Sequence, residues 1–160
     1  MNEEQRQQGL KQFIEDVGLL FESLGLPRMS GRVLGWLLIS DPPQQSMPEL
    51  GEALTASKAS ISNSVRLLLQ VGFIERMSLP GHRRDYFRIK PDAWFQIVED
   101  EIFKIATFRK LAERGLTLLN GAEPQCQARL EGMHEMAAFL EREMPSLLER
   151  WQQEREGRAE

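Results

Sequence analysis

Apolar positions along this chain change period twice, and each change marks a new kind of element. Leu10, Ile14, Val17, Phe21 and Leu24 follow 4-3-4-3 spacing, one face of a helix over about residues 2–25. Gly25-Leu26-Pro27 stops it. A second helix runs from about Ser30 to Ile39, with Val33, Leu34, Trp36, Leu37 and Leu38 nearly all apolar, and ends at Asp41-Pro42-Pro43 because proline cannot continue a helix. A helix that apolar is expected to pack beneath the two that follow.

Residues 46–90 read as helix, short turn, helix, strand, basic hairpin tip, strand. Ser46-Met47-Pro48-Glu49 has the form of a capping box with proline in the first turn. Leu50, Ala53 and Leu54 form one stripe, Thr55-Ala56 breaks it, and Ser57 restarts a helix as its N-cap. In that second helix Ile61, Val65 and Leu68 point inward. Lys58, Ser60, Ser62, Asn63 and Arg66 occupy the opposite face, and the small Ala59, Ser60 and Ser62 allow close approach to a surface. Lysine and arginine reach phosphates or guanine edges, and asparagine pairs with adenine. Gly72 ends the helix. Phe73–Ser78 and Asp85–Lys90 are strand-like, and Pro80-Gly81 suits a type II turn with His82, Arg83 and Arg84 beside it.

Beyond Lys90, Asp92 is placed to cap a helix from Ala93 to Leu119 that carries Val98, Ile102, Ile105, Phe108 and Ala112 on one side. Pro124 begins another. There Cys126, Leu130, Met133, Ala137, Leu140, Met144, Leu147 and Trp151 repeat as 4-3-4-3-4-3-4, a heptad seam. Pro145 falls inside it, which predicts a kinked helix or two abutting ones. The block at 46–90 should supply its own small core, so the terminal helices need another surface, and a second subunit is the natural one. The expected fold class is mainly α with a small β-hairpin wing: an N-terminal dimerisation helix (1–26), a winged helix-turn-helix (27–91) and C-terminal dimerisation helices (92–160), in one compact chain. A two-fold dimer would set two reading helices about 34 Å apart on a pseudo-palindrome.

Charge sharpens this picture. The whole chain carries −4, yet residues 46–90 hold seven basic side chains against four acidic ones, a net of +3. Residues 1–45 sum to −2 and residues 91–160 to −5, so positive charge gathers where phosphates would lie. No run of 18 apolar residues is present and the acidic, polar start is not a signal peptide, so no membrane is expected. The single cysteine, Cys126, fits a reducing cytoplasm and is expected as a buried thiol on the seam.

Other chemistry finds little footing. His82 and His134 sit in no metal-ligand pattern, and no phosphate loop or nucleophile elbow is present, so neither an enzyme nor a bound metal is expected. Arg28 and Arg32 are read as ion-pairing partners of the first helices. Trp36, Trp94, Phe95, Phe103 and Trp151 could cage a quaternary ammonium, though each also suits core packing. The competing class is a winged-helix module that binds protein and not DNA.

Gly25-Leu-Pro-Arg-Met-Ser-Gly-Arg-Val-Leu-Gly-Trp-Leu-Leu, Ser40-Asp-Pro-Pro, Ser57-Lys-Ala-Ser-Ile-Ser, Pro80-Gly-His-Arg-Arg and Tyr86-Phe-Arg together resemble MarR-type transcriptional regulators, and among them the GbsR-like branch. The likeness covers about residues 20–95; the terminal helices match only in type. The resemblance implies a homodimeric repressor, sometimes activator, of double-stranded DNA. It implies that Ser57, Lys58, Ala59, Ser60, Ser62 and Asn63 face the major groove, and that His82, Arg83 and Arg84 are wing contacts. No cofactor is expected; the resemblance leaves open a small-molecule effector whose identity no motif reveals.

Overall fold

The computed structural model describes residues 2–121 and 123–158. In chain order the elements are α1 (Glu3–Ser23), α2 (Arg28–Ile39), β1 (Gln45–Ser46), α3 (Met47–Leu54), α4 (Lys58–Val71), β2 (Ile74–Ser78), β3 (Asp85–Ile89), α5 (Ala93–Leu118) and α6 (Pro124–Glu156). The expected class, mainly helical with a small wing, is the observed one. The hairpin gains a third strand: the antiparallel sheet is ordered β1-β3-β2, with Ser46 opposite Tyr86 and Met77 opposite Tyr86 on the other side. Two residues are too short to carry a period, which is why the pattern along the chain does not reveal β1.

Packing divides the chain into two units, one through Trp94 and one from Phe95 onward. In the first, α1 is closed at its start by Asn2 and Gln5, each backbone N–H donating to the other's side chain. Its Ile14–Gly18–Phe21 face is buried against α2. The helices cross closely because Gly31 has no side chain: a Cβ there would lie 2.5 Å from the Val17 carbonyl oxygen. Arg28 and Arg32 both pair with Glu15 of α1, at 2.9 and 2.7 Å. Arg32 also donates to the Leu54 carbonyl at 3.2 Å, tying the end of α3 to the first two helices. The core beneath α3 and α4 joins Val33, Leu34, Leu37, Leu50, Leu54, Ile61, Val65, Leu68, Ile74 and Phe87, all essentially buried.

The second unit is built differently. Ala112 of α5 and Ala137 of α6 are its buried apolar side chains among the described residues. Gly115 admits Leu130 against the α5 backbone. Arg109 of α5 pairs with Glu141 of α6 and with Glu113 on its own helix, and Glu113 lies 3.2 Å from His134. Contact with Glu141 raises the Arg109 guanidinium further, and the His134 hydrogen bond, helped by Arg109, holds the Glu113 carboxyl below its usual value.

Helix α6 runs through Pro145 as one element, the lost N–H costing a single backbone bond in a long ladder. Asp92 stands just before α5 with a left-handed φ of 57°. One expectation changes: Cys126, expected as a buried thiol on the seam, is exposed in the first turn of α6.

Candidate nucleic-acid interface

Helix α4 is set by its two ends. Ser57 caps α4, its hydroxyl accepting from the Ser60 N–H at 3.2 Å. At the far end Gly72 (φ 87°) donates to the Leu69 carbonyl and Phe73 to the Leu68 carbonyl, a Schellman closure. The turn between α3 and α4 uses the same pair of bonds, Thr55 N–H to Glu52 and Ala56 N–H to Gly51, with Thr55 left-handed at φ 51°. This places Ile61, Ser64, Val65 and Leu68 inward. Lys58, Ala59, Asn63 and Arg66 are exposed on the outer side, with Ser57 also exposed and Ser60 and Ser62 half-buried. Arg66 donates to the Asn63 amide oxygen at 3.3 Å, so these two side chains present themselves as a pair.

Glu49 anchors the start of α3. Its carboxylate accepts from the Ser46 backbone N–H at 2.6 Å and the Ser46 hydroxyl at 2.7 Å. Those bonds hold the carboxyl below its ordinary value; burial opposes them, and Arg84, with a smaller contribution from His82, adds to the lowering. The wing tip is therefore electrostatically connected to the front of the helix pair.

In the wing, the Pro80-Gly81 turn forms as the residue types predict. His82 N–H donates to the Leu79 carbonyl at 3.0 Å, and Gly81 takes the φ of 81° that a type II turn requires. The strands spend part of their charge on each other: Arg88 pairs with the directly opposite Glu75 at 2.7 Å, and Arg76 pairs diagonally with Asp85 at 3.5 Å. Lys58, Arg83 and Arg84 make no ion pair among the described residues and are exposed. His82 behaves differently from its neighbours. Its Nδ1 is hydrogen-bonded to the Tyr86 hydroxyl at 2.9 Å and its ring meets the Tyr86 ring edge-on at 5.6 Å. No local pattern signals that tie, since it depends on how the tip folds back.

Trp36 donates to the Gln45 amide oxygen at 3.3 Å, Trp94 meets Phe73 edge-on, Phe95 stacks on Trp151, and Phe103 is 75 % exposed. Among the described residues no group of three metal-ligating side chains is present, and no helix is long and apolar enough to cross a membrane.

Comparison with known proteins agrees with this geometry. A model of the MarR family matches residues 24–85, and a model of MmpR5-like MarR family transcriptional regulators matches residues 92–154. The chain is 42 % identical over 144 residues to the HTH-type transcriptional regulator MmpR5 of Mycobacterium tuberculosis, covering 90 % of this chain and 87 % of that one. It is 30 % identical to the HTH-type transcriptional repressor OpcR of Bacillus subtilis over 49 % of this chain and 42 % of that one. A crystal structure of a transcriptional regulator, 42 % identical, superposes with a TM-score of 0.80 over 91 % of this chain and 99 % of its own.

Proposed function

Because the chain belongs to the MarR family of transcriptional regulators, we propose that it acts as a homodimeric repressor, each subunit laying α4 in the major groove of one half of a pseudo-palindromic operator. Family membership makes it a DNA-binding regulator, not an enzyme, and sets aside the reading as a module that binds only protein. The observation that carries the docking model is the set of unpaired cations at one end of the first unit. Lys58 at the start of α4 and Arg83 and Arg84 at the wing tip are exposed without ion pairs, while the strand arginines are already neutralised.

In this reading Ser57, Lys58, Ala59, Ser60 and Ser62 line the groove, and the Asn63–Arg66 pair meets base edges. Arg83 and Arg84 neutralise flanking phosphates, and His82 lies beside them, packed on Tyr86. The homodimer is supported by uncovered apolar surface in the second unit, where Phe103 and Leu118 are 75 % and 77 % exposed and Leu147 of the seam is 51 % exposed. Repression is supported by the simplest use of such a dimer, occupation of the operator against other proteins. The finer likeness to the GbsR-like branch rests on the phrases within residues 20–95. The MmpR5-like model matches residues 92–154, and MmpR5 itself aligns over 144 residues, 90 % of the chain. A small-molecule effector belongs to the same proposal.

Changing Arg83 and Arg84 to Ala tests the docking. It should weaken binding to all sequences and lower the slope of log affinity against log salt by roughly two per subunit. Asn63→Ala should instead relax base preference at one position of each half-site, by about 1–3 kcal/mol. If both variants bind like the parent, the docking is wrong.

A further inference from the structure

His82 is exposed, yet both its backbone and its ring are held. Its backbone N–H closes the tip turn on the Leu79 carbonyl at 3.0 Å, and its Nδ1 lies 2.9 Å from the Tyr86 hydroxyl. Tyr86 is a rigid base for that bond. It is buried in the central strand β3, opposite Ser46 of β1 on one side and Met77 of β2 on the other. A phenol is a stronger donor than a neutral imidazole N–H, and an imidazole nitrogen is a stronger acceptor than a phenol oxygen. The hydroxyl therefore donates and Nδ1 accepts, which leaves the ring proton on Nε2. The edge-on contact of the two rings, at 5.6 Å and 82°, sets the direction of that N–H. Glu49, the carboxylate that feels His82, already accepts from the Ser46 N–H and hydroxyl. No described residue takes the Nε2 proton.

We propose that Tyr86 is a positioning residue for DNA binding: its hydroxyl holds His82 in the Nε2–H form and orients the ring so that Nε2 donates to a phosphate oxygen of the DNA backbone. This rests on the docking of the wing against DNA, and adds to Arg83 and Arg84 a neighbouring donor that carries no charge. The chemistry favours a phosphate on three counts. The Nε2–H can only donate, and phosphate oxygens only accept. The ring is ordered when the chain folds, so binding does not bear the cost of fixing it. A neutral donor displaces no condensed counterion, so its contribution persists as salt rises, unlike that of an arginine. The same bond would also satisfy a buried tyrosine hydroxyl, a role that affects stability alone.

Titrations of the full chain with a selected operator and with an unrelated duplex, at about pH 8 where an ordinary imidazole is neutral, separate the two roles. His82→Ala should weaken binding to both duplexes by roughly three- to tenfold, with the slope of log affinity against log salt unchanged. Tyr86→Phe, which keeps the ring, should produce a similar or smaller loss, and no further loss when added to His82→Ala. Nitrogen NMR of the free protein should find the His82 proton on Nε2, with the His134 signals assigned through a His134→Gln variant. If Tyr86→Phe does not fold, His82→Gln, whose amide nitrogen reaches the Nε2 position, should bind better than His82→Asn, whose amide falls at Nδ1; equal binding of those two would sink the proposal. Tyr86→Phe that melts lower but binds DNA like the parent would overturn it and leave the bond as a stabilising contact. So would a Tyr86→Phe loss that persists beside His82→Ala, a His82→Ala loss confined to one duplex, or a proton on Nδ1. Arg83→Ala with Arg84→Ala is the control. Binding weakened there and unchanged in His82→Ala would remove this proposal and leave the docking; binding unchanged in both would remove both.

Discussion

The two units of this chain solve the burial problem in opposite ways. Through Trp94, four helices and three strands share one core in which Val33, Leu50, Ile61, Leu68 and Phe87 have essentially no exposed surface. From Phe95 onward, two long helices bury Ala112 and Ala137 and leave Phe103, Phe108, Leu111, Leu118, Met136 and Phe139 at least half exposed. The first can hold its shape from within. The second carries apolar surface that a monomer would leave in water, at a cost of about 25 cal/mol for each Å². Amphipathic periodicity is equally clear in both, so period alone does not separate a helix that feeds its own core from one that waits for a partner.

The comparison breaks most visibly at two glycines. Gly31→Ala would drive a methyl group into the Val17 carbonyl oxygen, and backbone cannot swing aside, so a loss of about 3 kcal/mol is expected in chemical unfolding of the first unit. Gly115→Ala meets Leu130 Cδ1 at 2.6 Å, the far end of a flexible side chain, and should cost less than about 1 kcal/mol. Equal losses would mean that the second unit is as tightly built as the first.

Core and seam leucines should divide along the same line. Leu68→Ala is expected to cost about 2–5 kcal/mol at any protein concentration. Leu147→Ser should barely change unfolding of an isolated chain. It should raise the dimer dissociation constant by roughly tenfold or more, read by sedimentation across a dilution series. A chain that is monomeric at micromolar concentration would remove the dimer.

A smaller contrast lies in two carboxyls held below their ordinary value. Glu49 owes this first to the Ser46 hydroxyl and backbone, Glu113 first to His134. Because the folded Glu49 value is lower than the unfolded one, its contribution is complete above the unfolded value of 4.5. It is lost as pH falls through the lowered folded value. Glu49→Gln should therefore destabilise the first unit at neutral pH by less than about 1 kcal/mol, since the group is exposed, and the difference from the parent should vanish in acid. Thermal melts of both proteins over that range would show it; a difference that persists in acid would assign the effect to something other than charge.

Thr55 offers the smallest effect. A β-branched residue at φ 51° is strained, so Thr55→Gly should raise stability by about 0.5 kcal/mol, relief of strain offset by the greater freedom of an unfolded glycine. A lower melting temperature would show that Thr55 contributes contacts worth more than the strain.

Much of the fold is legible from residue order because its signals are local. Ser57, Gly72 and the Pro80-Gly81 turn act within a few residues of themselves, and each forms as its residue type dictates. The inward positions of α4 follow from a single helical period. What escaped local reading depends on distant partners: β1 needs β3 to exist, Arg32 caps a helix 22 residues away, and His82 is held by Tyr86 once the tip folds back. Cys126 shows the limit from the other side, since a seam position is buried only where something covers it. The basic residues of the candidate site were readable as a set, but not which of them the strands would neutralise, because that depends on register.

The measurement that bears most directly on the central claim is selection of bound sequences from a random DNA library at about 50 and about 200 mM salt. A dimer reading with α4 predicts an enriched pseudo-palindrome whose half-site centres lie about 34 Å apart, with binding that weakens steeply as salt rises. No enrichment, and no DNA retained even at the lower salt, would contradict it.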